Sequence, residues 1–380
     1  MQNLVNKDYQ ICTKTVMDTS DPLISFDEDG VSNYVNSYND WEKNIKLNDS
    51  DSKVELERII NVMLEEGKGK EYDCIMGLSG GVDSSYLAYK AVKEWGLRPL
   101  IVHVDAGWNS ELAVNNIENI VNFLGIDLHT LVVDWDVMKD LQRSFFKASV
   151  PNCDIPQDHS FIAGLYSEAK KYKIKHILNG GNMSTESILP IAWGHDAADL
   201  VHIKDIHKKF GERSLRKFPT IKFLQRAIMN PYVYKYIVHR PLEFIDYKKD
   251  KAKDLLINKM GWRDYGGKHY ESVFTKFFQA HYLPKKFGFD KRRAHLSSLI
   301  VSGQMTREEA VNELNSPLYD LTELIQDTKF FTKKLGFSDM EWQDIMLDKP
   351  LLHSYYKTDQ KPALIRKYLL GAYKSFKGIK

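Results

Sequence analysis

Ser79-Gly80-Gly81-Val82-Asp83-Ser84-Ser85 places two glycines, three hydroxyls and one carboxylate within seven residues. The stretch follows the apolar run 72–78 and precedes Tyr86, Leu87, Tyr89, Ala91 and Val92, an order that predicts strand, tight turn and helix. Such a turn aims backbone N–H groups and hydroxyls at one point beside a helix N-terminus, which receives phosphate-like oxyanions. No lysine follows the glycines as G-x-x-x-x-G-K-S/T requires, and the G-x-G-x-x-G of a Rossmann turn is absent. Ser79, Gly80, Gly81, Ser84 and Ser85 are therefore candidate donors to phosphate. Asp83 repels phosphate, so it either holds Mg²⁺ or caps the helix.

Other polar residues sit where strands are expected to end. Asp105 either accepts from ribose hydroxyls or caps its own loop. Gly180-Gly181-Asn182 either lets the backbone approach a ligand or forms a plain turn, with Glu186 a candidate second Mg²⁺ ligand. A second candidate site is Tyr265-Gly266-Gly267-Lys268-His269-Tyr270-Glu271-Ser272, where glycines precede a helix start. There Lys268 would balance a phosphate or an oxyanion, and Glu271 would orient an amine nucleophile or cap its helix. Downstream, Lys285, Lys286, Lys291, Arg292, Arg293 and His295 interleave with Phe287 and Phe289. This cluster fits a nucleotide-sugar diphosphate, RNA or a solvated face.

The elements that must position these groups alternate. Strands are expected at 99–104, 128–133 and 174–178, with helices near 56–67, 111–124, 137–148 and 158–172 between and before them. That alternation predicts parallel βαβ units, with ligands at the carboxyl ends of strands near a topological switch point. A short strand is expected at 23–26, a linker near 47–53 and a last strand within 241–247. Helices are expected at 249–260, 269–282, 291–301, 306–314, 318–328 and 339–347. The expected domains are an irregular segment 1–50, an α/β domain 51–262 and a helical substrate domain 263–380.

Composition bounds the function. Across 380 residues, Lys plus Arg (53) balances Asp plus Glu (51), so nothing draws the whole molecule to nucleic acid. No apolar run is long enough to span a membrane, and the start has no apolar h-region. The expected setting is cytoplasmic. Three cysteines (Cys12, Cys74, Cys153) make no disulfide framework. Cys12, Thr15, Ser32 and Val35 fall at the positions of a four-cysteine zinc knuckle, but one thiolate makes no zinc site, so no zinc is expected.

The Ser79–Ser84 stretch resembles the PP-loop of ATP pyrophosphatases, which cleave ATP to AMP and pyrophosphate. Over nearly its whole length, the chain resembles the N-acetyl sugar amidotransferases of bacterial lipopolysaccharide, O-antigen and nonulosonic-acid biosynthesis. That resemblance rests on residues 17–22, the loop, 261–272, Phe274-Thr275-Lys276-Phe277, Lys286-Phe287-Gly288 and residues 290–297. It implies a doubly wound, mainly parallel α/β sheet of the adenine-nucleotide alpha-hydrolase-like type, with a helical C-terminal domain. It also implies adenylation of an acetamido oxygen and displacement of AMP by ammonia, giving an acetamidino sugar. ATP and Mg²⁺ would be used, the metal on Asp83 and Glu186. Lys268, His269 and Glu271 would act at the reacting centre, with His269 handling ammonia protons. Tyr265, Lys276, Arg292, Arg293 and His295 would meet the sugar, taken to be UDP-linked. Ammonia would come from separate glutaminase and cyclase-like partners, with no nucleic acid or membrane involved. Many family members carry two N-terminal Cys-x-x-Cys pairs, of which this chain keeps only Cys12, so their zinc is not carried over. A tRNA-thiolating enzyme would share the loop but needs better-placed cysteines, and a non-catalytic scaffold would not need the loop intact.

Overall fold

The computed structural model describes residues 8–266, 270 and 272–360. Five apolar runs form strands β1 (Cys74–Gly77), β2 (Pro99–Asp105), β3 (Leu128–Val132), β4 (His176–Leu178) and β5 (Ile237–His239). All pair in parallel, in the order β3-β2-β1-β4-β5. Strand order reverses between β1 and β4, so the switch point lies where the glycine turn and Gly180 emerge. The doubly wound α/β expectation holds.

The helices are α1 (Asn33–Asn44), α2 (Asp49–Glu66), α3 (Val82–Tyr89), α4 (Glu111–Leu124), α5 (Trp135–Lys147), α6 (Ile155–Lys171), α7 (Met183–Glu186) and α8 (Leu200–Phe210). They continue with α9 (Lys249–Met260), α10 (Val273–Phe277), α11 (Leu283–Phe287), α12 (Lys291–Val301), α13 (Arg307–Asn315), α14 (Leu321–Leu335) and α15 (Asp339–Leu347). One face of the sheet is covered by α2, α3, α4 and α9 through Met63, Leu87, Ile120 and Leu256. The other face carries α5, α6 and α8 together with the C-terminal helices in one continuous core. In that core Phe277 stacks on Phe331 with ring centroids 4.3 Å apart, and Trp108 donates its indole N–H to Gln142 at 2.8 Å. Trp262 belongs to the first layer and Phe274 to the second.

Several expected elements differ. The last strand is Ile237–His239; the stretch Pro241–Phe244 forms a 3₁₀ turn, because Pro241 has no N–H to give a ladder. Residues 47–53 are no linker, since Asn48 caps α2 by accepting from Asp51 N at 2.8 Å. Residues 23–26 form no strand, only an isolated Phe26–Ser32 bridge. The helix expected from 269 starts at Val273, where Ser272 supplies the cap. α1 escapes sequence reading because it buries only Val35 and Tyr38.

Candidate active site

After β1 the chain turns through Ser79, Gly80 and Gly81 into α3. Gly80 has φ of +84°, and a Cβ there would lie 2.9 Å from the Tyr265 hydroxyl, so the position is fitted to glycine. The Gly80 carbonyl accepts from Trp262 Nε1 at 2.8 Å and from the Tyr265 hydroxyl at 3.1 Å. Gly81 N donates to Ser79 Oγ at 3.2 Å, and the Ser79 and Ser84 hydroxyls lie 3.2 Å apart at the mouth of the turn. Across the switch point, a Cβ on Gly180 would meet the Asp83 carbonyl carbon and Ser84 N at 3.3 Å. The end of β4 therefore packs closely on the first turn of α3 at Gly180.

Three adjoining cavities, or lobes, flank the turn and share lining residues. The first, about 610 Å³, joins Ser79, Gly81 and Ser84 to Gly180, Glu186 and Lys249. The second, about 470 Å³, is lined by apolar groups such as Val104, Phe161 and Leu165, with Asn109 and Gln157 among its polar ones. The third, about 280 Å³, lies under the C-terminal helices and carries mixed charge from Glu186, Lys291, Arg292 and Glu313. Ser79 and Ser84 line the first two lobes, whereas Glu186, Gly266 and His295 line the first and third.

Charge in the first lobe is arranged in pairs. Asp83 Oδ1 accepts from the hydroxyl of Tyr247, which is 2% exposed. Burial and the adjoining Asp83 carboxylate hold that hydroxyl well above its usual range, so it remains a donor. Lys249 Nζ lies 2.9 Å from His295 Nε2, and His295 Nδ1 lies 3.3 Å from the Thr185 carbonyl. An ammonium can only donate and a carbonyl only accept, so the imidazole proton is on Nδ1. Lys253 pairs with Asp264 at 2.6 Å.

The structure brings Ser79, Gly81, Asp83, Ser84, Gly180, Gly181, Glu186, Tyr265 and His295 to one lobe. Other expected residues serve the scaffold. Ser85 is buried and donates to the Gly81 carbonyl at 2.7 Å. Asn182 is buried and caps α7 through Thr185 N at 3.0 Å. Asp105 accepts from Gly107 N at 2.8 Å, holding its own loop. Lys276 pairs with Glu323 and lies over the Tyr319 ring at 4.8 Å. Lys268, His269 and Glu271 lie outside the described residues.

The expected basic cluster splits: Lys291, Arg292 and His295 line the third lobe, whereas Arg293 and Lys286 are engaged elsewhere. Arg292 is held by Asp290 at 2.8 Å and by the carbonyls of Glu313 and Ser316 at 3.1 and 2.9 Å. Arg293 points the other way, to Asp18 at 3.0 Å and the Val16 carbonyl at 2.8 Å, clasping the N-terminal segment. Lys286 is buried and donates to the Ile345 carbonyl. Successive helical residues point about 100° apart, so α12 turns Arg293 away from the lobe that Lys291, Arg292 and His295 line.

Tyr247, Lys249 and Lys253 were missed by sequence reading. One signal was present: Lys249 occupies the first turn of α9, where the helix dipole disfavours a cation. The three cysteines are buried. Burial pushes the Cys74 and Cys153 thiols up. At Cys12 burial also raises the thiol, but hydrogen bonds with Thr15 and Ser32 outweigh it and the net shift is downward. Ser32 N donates to Cys12 Sγ at 3.3 Å. Among the described residues, no group of three or more His, Cys, Asp or Glu is arranged to hold a metal ion. None of the helices among them is long and apolar enough to cross a membrane.

A parallel sheet of this order, with a serine-glycine-aspartate turn at its switch point, defines a doubly wound α/β protein. Residues 271–369 match the family model described as "LPS biosynthesis protein WbpG-like, C-terminal domain". Similar solved structures include an NMN synthetase from Francisella tularensis, with 14% identity, 60% of this chain and 97% of that chain covered, and a TM-score of 0.29. An NH3-dependent NAD synthetase from Campylobacter jejuni shows 14% identity, 57% and 94% coverage and a TM-score of 0.28. The U34-tRNA thiolase NcsA from Methanococcus maripaludis shows 12% identity, 72% and 87% coverage and a TM-score of 0.33. No curated protein sequence matches the chain.

Proposed function

We propose that the protein is an ATP-dependent amidotransferase that converts the acetamido group of an N-acetyl sugar to an acetamidino group, releasing AMP and pyrophosphate. The observation that carries this reading is adjacency. The lobe at the glycine turn and the lobe under the WbpG-like segment share Glu186, Gly266 and His295 as lining.

An amide oxygen is a poor leaving group. Its attack on the α-phosphorus of ATP expels pyrophosphate and leaves an O-adenylated imidate. Ammonia then adds to the imidate carbon, one proton is lost, and AMP departs with the former amide oxygen. The α3 N-terminus and the Ser79 and Ser84 hydroxyls are placed to hold the departing phosphates. Lys249 and Lys253 add positive charge at the same lobe. Asp83 and Glu186 offer the oxygen donors that suit Mg²⁺, which when bound would neutralise charge on pyrophosphate. The apolar second lobe suits the nucleoside, and the third suits the sugar, taken to be UDP-linked. Ammonia comes from a separate glutaminase and a cyclase-like partner, all in the cytoplasm.

The test is incubation with ATP, Mg²⁺, ammonium and a panel of acetamido nucleotide sugars, followed by mass spectrometry. Replacement of one sugar oxygen by NH, matched by AMP, supports the reading. Turnover that depends on tRNA, or that never depends on an acetamido sugar, overturns it.

A further inference from the structure

Tyr247 was invisible to motif reading, yet it reaches the carboxylate on which the proposed reaction most depends. It lies between the 3₁₀ turn Pro241–Phe244 and α9, with its N–H on the Ile245 carbonyl at 2.8 Å. Its ring packs on Tyr86 of α3 with centroids 5.5 Å apart, inside the apolar layer that also holds Leu242 and Trp262. Ring packing from α3 and the 241–244 turn thus fixes where the hydroxyl can go. The hydroxyl donates to Asp83 Oδ1. Glu186, another carboxylate of the lobe, is close enough to act on it electrostatically.

We propose that Tyr247 is a positioning residue for Asp83, locking the carboxylate in the rotamer that presents it to the phosphate lobe. This rests on the reading of Asp83 as a Mg²⁺ ligand. An aspartate at the start of a helix has a competing use, which is to turn back and cap its own N–H groups. A buried donor on Oδ1 opposes that rotation, because leaving would strand a buried hydroxyl without its acceptor. Metal ligands are commonly oriented this way by an outer partner, whose loss weakens metal binding or activity by about 10–100-fold. The residues around the contact explain its geometry. Lys249, two positions on, contacts His295, so the Tyr247–Lys249 segment ties the Asp83 side of the lobe to the α12 side.

Tyr247→Phe keeps the ring and removes only the hydroxyl. In the full-length protein, Mn²⁺ binding in the presence of a non-cleavable ATP analogue is followed by electron paramagnetic resonance, alongside thermal unfolding without ligands. The expected result is at least about tenfold weaker Mn²⁺ binding at an unchanged unfolding temperature. The Mg²⁺ concentration giving half-maximal AMP release should rise similarly, with the KM for the acceptor unmoved. In an Asp83→Asn background, Tyr247→Phe should add no further loss of Mn²⁺ binding. Wild-type Mn²⁺ affinity in Tyr247→Phe overturns the proposal, as does an undiminished effect in the Asp83→Asn background. If the wild type binds no Mn²⁺ with the analogue, the roles of Asp83 and Tyr247 fall together. If it binds Mn²⁺ but never amidates an acetamido sugar, the proposed function falls while Tyr247 is still decided by the binding data.

Discussion

Trp262 donates its indole N–H to the Gly80 carbonyl at 2.8 Å, a bond that spans 182 residues of sequence. It joins the segment leading into the WbpG-like region to the turn at the switch point, and Tyr265 donates to the same oxygen. Trp262→Phe would retain most of the packing and lose one buried donor, at a cost of roughly 1–3 kcal/mol. Urea unfolding should show that loss, and calorimetry should show weaker binding of an ATP analogue. Unchanged binding at reduced stability would mean that the bond serves the fold alone.

Gly80→Ala probes the same turn from within. The substitution places a Cβ 2.9 Å from the Tyr265 hydroxyl on a backbone with φ of +84°. The expected cost is about 1–3 kcal/mol, together with loss of AMP release. Tyr265→Phe should relieve the steric part, recovering stability in the double variant relative to Gly80→Ala. An additive loss in the double variant would contradict the packing seen here.

Asp83→Asn should abolish AMP release and leave the unfolding temperature close to that of the wild type, because the amide oxygen can still accept from Tyr247. Full activity in the variant would remove Asp83 from the chemistry.

Arg293 is predicted to be a clasp and not a substrate contact. It reaches Asp18, which is 2% exposed, so removing the guanidinium leaves a buried carboxylate unpaired. Arg293→Ala should cost about 3 kcal/mol in urea unfolding and leave the acceptor KM unchanged. A raised KM at unchanged stability would return Arg293 to the sugar site.

Acid should weaken the packing of residues 353–360 on α8. Asn152 N donates to His353 Nε2 at 3.1 Å, so the His353 proton sits on Nδ1 and points at His202 Nε2, 2.9 Å away. A second proton on either ring has no acceptor there. Burial, then His195, pushes His202 down to about 4, and burial with His202 pushes His353 well below its usual value. Unfolding frees both to bind protons near pH 6.5, so the unfolded state takes up more protons below that pH. Stability is therefore full above about pH 6.5 and falls toward pH 4, by up to roughly 1.4 kcal/mol per pH unit for each group. Urea unfolding between pH 7.5 and 5 should show a steeper decline in the wild type than in His202→Gln. Equal slopes would contradict the tautomer assignment.

Much of the sheet could be read from sequence because its central strands are mostly apolar and buried and its turns carry glycine. α4, α9, α12 and α15 fall where their periodicity placed them, bounded by caps such as Ser110, Gly261 and Asp290. β5 was misplaced because Ile237 and Val238 are exposed on an edge, leaving no burial pattern to read. At the site, the turn after β1 was legible since its conformation is local. The partners of that turn were not, because Trp262 and Tyr247 look like ordinary core aromatics until the fold carries them to Gly80 and Asp83. The basic run 285–295 left a binding face and a solvated face both open in sequence, because which cations share a face depends on the helix. Lys291, Arg292 and His295 line the third lobe and Arg293 goes to Asp18.

The claim that the amide oxygen itself is adenylated has one direct test. An acetamido sugar carrying ¹⁸O in its carbonyl is turned over with ATP, Mg²⁺ and ammonium, and the AMP, pyrophosphate and sugar are analysed by mass spectrometry. The account predicts that the label moves into the phosphate of AMP, with none in pyrophosphate and none left in the amidinated group. AMP formed without the label, or a labelled sugar recovered intact while ATP is consumed, would contradict it.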